Sequence, residues 1–171
     1  GANRHGSLND GERRESGTGG FAFFGESTIP ILYDLNGEKG REFYNLDDEK
    51  MREVKIVPFK VREGDDASCL NLNRIAQPQL IGVDPAELDR RKAFTFEKIS
   101  SEVDPQNPWL VLEQPLENGV IPGIADQTVI VWGLGKSVGD TLSYADESGA
   151  EMRIKLVGGL ANSIFQGNVI I

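Results

Sequence analysis

Three features of the sequence predict an α+β fold, a mixed or antiparallel sheet with a few short helices. Short runs rich in β-branched and aromatic residues recur along the chain, punctuated by Gly, Pro, Asn and Asp. Helical signals are few and brief. Strand and helix signals do not alternate in the rhythm that builds parallel strand–helix–strand units. With 171 residues, the chain is long enough to bury a core without disulfides or metals. A composition 39% hydrophobic and 26% charged excludes collagen, coiled coil and wholesale disorder. No apolar stretch reaches the roughly 18 residues of a membrane-spanning helix.

Residues 1–16 are polar and glycine-rich and predict a flexible tail or linker ahead of a domain over 17–171. From Phe21-Ala22-Phe23-Phe24 to Tyr33 the chain is rich in β-formers but broken by Gly25-Glu26 and Pro30, which predicts two short strands or one bulged strand. Asn36-Gly37 signals a turn, and Phe43 with Leu46 predicts a short helix over 38–46. Residues 54–61 read as a strand that Pro58 pushes to an edge or a bulge. Gly64-Asp65-Asp66 turns the chain, and 78–83 is the next strand. Asp84 is an N-cap and Pro85 a first-turn proline, so 85–91 is predicted helical. Residues 94–96 are extended, 104–108 a loop and 109–113 a central strand.

Residues 124–135 admit two readings. Thr128-Val129-Ile130-Val131-Trp132 has strand propensity, but Asp126 could cap a helix ending at Gly133 or Gly135. Residues 140–144 and 151–157 predict a hairpin joined by Asp146-Glu147-Ser148-Gly149. Met152, Ile154 and Leu156 alternate with Arg153, Lys155 and Val157, Gly158-Gly159 ends the pattern, and a new strand starts at Ile164. The long middle allows a subdomain insertion within about 62–115, hence two subdomains.

The net charge is −9, and residues 101–150 hold eight acids (Glu102, Asp104, Glu113, Glu117, Asp126, Asp140, Asp146, Glu147) against one base, Lys136. Phosphate-binding surfaces need clustered Lys and Arg, so nucleic acid is excluded as a partner, and anionic lipid is repelled. The acidic stretch is the candidate contact face for a partner. Gly133-Leu134-Gly135-Lys136-Ser137 ends like a phosphate-binding loop, but Ile130 stands where that loop needs Gly and no helix follows. Gly17-Thr18-Gly19-Gly20-Phe21-Ala22 matches the glycine spacing of a dinucleotide loop, yet follows a polar tail and precedes a strand signal, so it reads as a flexible entry to the first strand. His5 and Cys69 are the sole histidine and cysteine. That is too few for a His/Cys zinc site or an intrachain disulfide. Asp47-Asp48-Glu49 and Asp65-Asp66 lack calcium-loop spacing. Trp109 and Trp132, with Phe21, Phe23, Phe24, Phe43, Phe59, Phe94, Phe96 and Phe165, are expected in the core. No residue is assigned a catalytic, cofactor-binding or metal role, and no cofactor is expected.

Val120-Ile121-Pro122-Gly123-Ile124-Ala125-Asp126, the run from Trp132 through Gly139-Asp140-Thr141-Leu142, residues 153–160 and 163–169, and Leu80-Ile81-Gly82-Val83-Asp84-Pro85 together resemble the extracytoplasmic (periplasmic core) domain of FtsX/MacB-type ABC transporter permeases. Ser16-Gly17-Thr18-Gly19-Gly20 through Ile29-Pro30 resembles the opening of such domains. The resemblance implies a MacB periplasmic-core-like fold and a helix over 124–136. It implies a domain without chemistry of its own, at the periplasmic face of the bacterial inner membrane, which couples cytoplasmic ATP hydrolysis to handling of a substrate or partner protein. The implied partners are an ATP-binding cassette subunit, reached through the transmembrane part of the parent protein, and another permease copy or a periplasmic or outer-membrane protein. The start at Gly1 and the stop on Val169-Ile170-Ile171 predict a piece of a longer protein. The rival reading is a secreted or periplasmic module that binds peptide or carbohydrate in a deep cleft.

Overall fold

Ten consecutive residues, Glu151–Leu160, form the longest strand, and the sheet is arranged around it. The computed structural model describes residues 17–46, 48–51, 53–62, 78–145 and 149–171. Its helices are α1 (Glu38–Phe43), α2 (Asp48–Met51) and α3 (Pro85–Arg91). Its strands are β1 (Lys60–Arg62), β2 (Gln79–Gly82), β3 (Phe96–Ile99), β4 (Ile121–Asp126), β5 (Thr141–Ala145), β6 (Glu151–Leu160) and β7 (Asn168–Ile170). Pro108–Glu113 and Glu117–Gly119 are 3-10 turns, and Val129–Gly133 is a π-helical turn. The chain divides into two compact units, a small one over Phe23–Pro58 and a larger one from the remainder. The described part of 62–115 lies in the larger unit, as does every described strand.

The strand order is β1-β2-β7-β4-β6-β3, with β5 also on β6. The β2–β7 and β4–β6 pairs are parallel and the rest antiparallel, so the sheet is mixed and the fold is α+β. β4 occupies one edge of β6. The other edge is shared, with β5 opposite Glu151–Lys155 and β3 opposite Gly158–Leu160.

The central strands are buried on both faces. Neighbouring residues belong to opposite cores: Ile124, Val157 and Ile170 to one, and Ala125, Leu156 and Val169 to the other. This follows from the two-residue period of a strand. The first core is covered by Leu88 of α3, Trp109 of the 3-10 turn and Phe165. The second is covered by Ile130, with Leu134 and Val138 behind it, and by Leu142 and Tyr144 of β5.

Gly158 and Gly159, expected to end the pattern, lie inside β6. They carry no side chain because the neighbouring layers occupy that space. A Cβ on Gly158 would lie 2.8 Å from the Phe96 ring, and one on Gly159 would lie 2.0 Å from Oε1 of Gln127. The register shifts opposite this pair, between Gly123 and Ile124 of β4 and between Phe96 and Lys98 of β3. Glycine in a strand marks such close approach.

The predicted helix at 85–91 is α3: the Asp84 carboxylate accepts the Glu87 N–H at 3.1 Å and Pro85 opens the first turn. The hairpin β5–β6 forms with Ala145 opposite Glu151; residues 146–148 of its turn lie outside the described residues, as do the tail at 1–16 and the turn at 64–66. The strand expected at 109–113 is a 3-10 turn instead. Pro108 presets its first φ and offers no N–H to a ladder. The turned backbone aims Trp109 inward, where its indole N–H donates to the Ala93 carbonyl at 2.8 Å.

The expected strands over 21–33 do not form. Within the small unit, the Ser27 hydroxyl donates to the Ile29 carbonyl and the Leu32 N–H donates to the Tyr44 hydroxyl, so backbone groups pair with side chains instead of a ladder. The strand expected over 54–61 shrinks to β1 for the same reason. The Asn36 side-chain amide takes both the N–H and the carbonyl of Ile56, each at 2.8 Å. The helix expected at 38–46 forms as α1, where Gly40 is obligatory because a Cβ would lie 1.9 Å from the Asp34 carbonyl oxygen.

Gly158→Ala is expected to destabilise the protein by about 1–3 kcal/mol, the cost of overpacking a filled core. Adding Phe96→Leu should return part of that loss. Urea unfolding of the two variants checks this, and additive losses would contradict the packing account.

Candidate functional site

The glycine-rich loops are committed to the fold. After the π-helical turn, the N–H groups of Leu134 and Lys136 donate to the carbonyls of Val129 and Ile130, and the Ser137 N–H donates to the Asp140 carboxylate at 2.8 Å. These amides, which a phosphate loop would aim at its ligand, are used to close a helix C-terminus. Gly135 and Gly139, at φ +62° and +104°, make the turn into β5. Gly17–Gly20, expected as a flexible entry to a strand, is a packed turn, and no strand follows it.

Of the two readings made for residues 124–135, the helical one forms: residues 128–132 make no strand, and the turn that follows Asp126 ends at Gly133, shorter than the helix over 124–136 that the resemblance implies because β4 occupies 124–126. The strand β4 runs to Asp126, and the helical turn starts just after it. Asp126 is fully buried and satisfied by backbone donors: Oδ1 accepts the Thr128 N–H at 2.8 Å and Oδ2 accepts the Ser163 N–H.

Several acids of the 101–150 stretch are engaged within the fold, whereas Glu113 and Glu117 are exposed. Asp126 is internal. Asp104 holds its own turn, accepting from the Gln106 N–H at 2.9 Å and the Asn107 amide at 3.2 Å, and the first of these contacts is the main reason its pKa is lowered. Asp140 holds the turn before β5. Glu102 is ion-paired to Lys155 of β6. Asp146 and Glu147 lie outside the described residues, as do His5, Cys69, Asp47, Asp65 and Asp66. Among the described residues, no group of three or more His, Cys, Asp or Glu side chains could hold a metal ion.

The aromatic residues separate into two populations. Trp109, Phe94 and Phe165 are buried, and Phe96 stacks edge-on to Trp109 at 5.3 Å between ring centroids. Trp132, expected in the core, is 81% exposed at the end of the π-helical turn, because the buried face of that turn is taken by Val129 and Ile130. Phe23, Phe24 and Phe43, also expected in the core, are exposed in the small unit, with Phe23 at 94%. Ile29, Leu32 and Tyr33 are exposed there as well. The run 21–33 carries a single charge, Glu26, and two breakers, Gly25 and Pro30. That is the signal in the sequence for apolar side chains with no layer of their own.

No protein-family model, curated protein or solved structure matches the chain. Each unit by itself presents a candidate contact surface: Trp132 in the larger one, and the exposed apolar side chains over 23–33 in the small one, offer contact by burial. Beside β3 lies an open depression of about 290 Å³ lined by Phe96, Glu97, Lys98, Ile99, Pro105 and Pro108.

Glu102 supplies a pH-dependent contact. The hydrogen bond from the Lys155 ammonium is the main reason that its pKa is lowered from 4.5 to about 2. A carboxylate whose folded pKa is depressed stabilises the fold above its unfolded pKa, and that stabilisation is lost as pH falls through the folded value. For a pair this exposed it amounts to roughly 0–1 kcal/mol. The stability gap between the native chain and Glu102→Gln should therefore be present at pH 7 and should close between about pH 4.5 and 2. Urea unfolding across this range measures it, and a gap as wide at pH 2 as at pH 7 would contradict the pairing.

Proposed function

We propose that this chain is an extracytoplasmic domain of an ABC transporter permease, working by being moved and by touching a partner or substrate at the periplasmic face of the membrane. The observation that carries the reading is the coincidence of the FtsX/MacB-like residues with one continuous piece of structure. Residues 120–169 fold as β4, the π-helical turn, the β5–β6 hairpin and β7. The Gly139-Asp140 pair sits where helix passes to strand, as in the family it resembles: Gly139 supplies the positive φ and Asp140 holds the Ser137 N–H.

Two further features support it. Asp104, Asp126 and Asp140 are occupied in turns and Glu102 in an ion pair, and large apolar side chains, Trp132 and Phe23 foremost, are exposed as well. The depression beside β3 is open and lined by a mixture of prolines, apolar residues and one pair of opposite charges, unlike the convergent polar groups of a ligand cleft. Switching would then be rigid-body motion.

The full-length gene product tests the reading. Expressed with its neighbouring reading frames, it should fractionate with membranes and co-purify in detergent with an ATP-binding cassette subunit. Recovery in the soluble fraction without an ATPase, together with saturable binding of a peptide or sugar, would replace this reading with that of a binding module.

A further inference from the structure

The Gly17–Phe21 turn is fastened to the larger unit more tightly than an entry segment requires. The Ile164 N–H donates to the Gly17 carbonyl at 2.8 Å, and the Phe21 N–H donates to the Thr18 carbonyl at 3.1 Å. Gly17 lies so close to the loop before β7 that a Cβ there would be 2.0 Å from the Asn162 carbonyl oxygen. Gly19, at φ +63°, lies on the Phe94 ring, where a Cβ would be 2.5 Å from two ring carbons. Both positions therefore exclude any side chain. Phe21 then enters the aromatic core, edge-on to Phe59 at 6.2 Å and tilted against Phe94 at 6.3 Å, with the Arg91 guanidinium 4.5 Å from its ring centroid.

Phe94 is itself held in a backbone conformation unusual for a bulky residue, φ +65°, and its ring packs on Phe165 at 5.2 Å and Trp109 at 6.0 Å. One turn of chain is thus clamped by α3, by the segment after it and by the loop before β7. The Phe21–Phe59 contact has a topological consequence. These two residues, both of the larger unit, flank the excursion Phe23–Pro58, so the points where the chain leaves and rejoins that unit are in contact.

We propose that Gly17–Phe21 is a strap that delivers any displacement of the chain upstream of Gly17 directly to the aromatic core and the β6–β7 loop, and shields residues 23–58 from the load. The proposal rests on these contacts and not on the permease reading. It assigns the Gly17-Thr18-Gly19-Gly20 run a mechanical role: three of its four residues are glycines, and at Gly17 and Gly19 the close approach leaves no room for a Cβ.

Single-molecule stretching of the 171-residue chain from its two ends tests it. With the strap closed, the native chain should give no early extension before the larger unit unfolds. Gly19→Val and Phe21→Ala should each release about 140 Å at lower force, the reach of residues 17–58 at roughly 3.4 Å per residue. In both variants the Ile164 amide should exchange with solvent at least about tenfold faster, while the Ile154 and Leu156 amides of β6 keep their native rates, which shows that the sheet is intact. Should Gly19→Val fail to fold, Phe21→Ala carries the test alone. An early release of about 140 Å in the native chain would overturn the proposal. So would a native-like trace in Phe21→Ala with Ile164 exchange unchanged.

Discussion

The buried carboxylate of Asp126 fixes where the chain leaves the sheet. A carboxylate removed from water is costly unless its oxygens are hydrogen-bonded. Here one oxygen turns the chain out of β4 by accepting from Thr128, and the other holds the loop that follows β6 by accepting from Ser163. The first contact places Ile130 over the second core, and the second places Phe165 in the first. A single side chain at the end of one central strand therefore sets the covers on both faces of the sheet. Because both donors are backbone N–H groups, the arrangement depends on the local path of two segments, and the path at Ser163 is held in turn by its hydroxyl, which accepts the Phe165 N–H, and by the Gln166 amide, which donates to its carbonyl.

The sheet that Asp126 terminates has little slack. β4, β7 and the 156–160 half of β6 bury both faces, so the residues along them have a neighbouring layer to fit. The two glycines of β6 are the visible result: Phe96 fills the space beside one and Gln127 the space beside the other. Splitting the outer edge of β6 between β5 and β3 follows from the same crowding. β5 pairs with the half that has an ordinary alternating pattern, and β3 pairs with the half that contains glycine. A body built this way transmits displacement more readily than it deforms, since close-packed interiors have low compressibility.

Elements whose signal was local chemistry were legible in the sequence. α3 follows from Asp84 and Pro85, α1 from the Asn36-Gly37 turn that opens it, although it stops at Phe43 short of Leu46, and the β5–β6 hairpin from alternation either side of Asp146-Glu147-Ser148-Gly149. Elements decided by tertiary partners were not. Ile56 has strand propensity, but its backbone is satisfied by Asn36, twenty residues earlier. Trp109-Leu110-Val111-Leu112 has strand propensity too, but Pro108 and the reach of the indole to Ala93 favour a 3-10 turn. The glycines of β6 read as a break because their neighbours, Phe96 and Gln127, are distant in the chain. Of the acidic stretch, three residues serve the fold itself. Asp104, Asp126 and Asp140 are turn and capping residues, the use that short acidic side chains most often find.

Large apolar side chains remain accessible in both units, and that bears on how the molecule works. The small unit, Phe23–Pro58, has 36 residues, fewer than the roughly 40 a chain needs to fold unaided. It nevertheless leaves Phe23, Ile29, Leu32 and Phe43 exposed. Side chains of that size contribute about 1.5–3 kcal/mol each when removed from water. Leaving four of them exposed forgoes more stability than a unit so small can spare, unless their burial occurs against a partner. Trp132 repeats the argument in the larger unit: its turn is anchored by Asp126 at one end and closed by backbone hydrogen bonds at the other, so its ring is presented on a fixed support. In the larger unit, a sheet with a core on each face holds Trp132 out to solvent on such a support, and an exposed ring of that size is suited to recognition by contact.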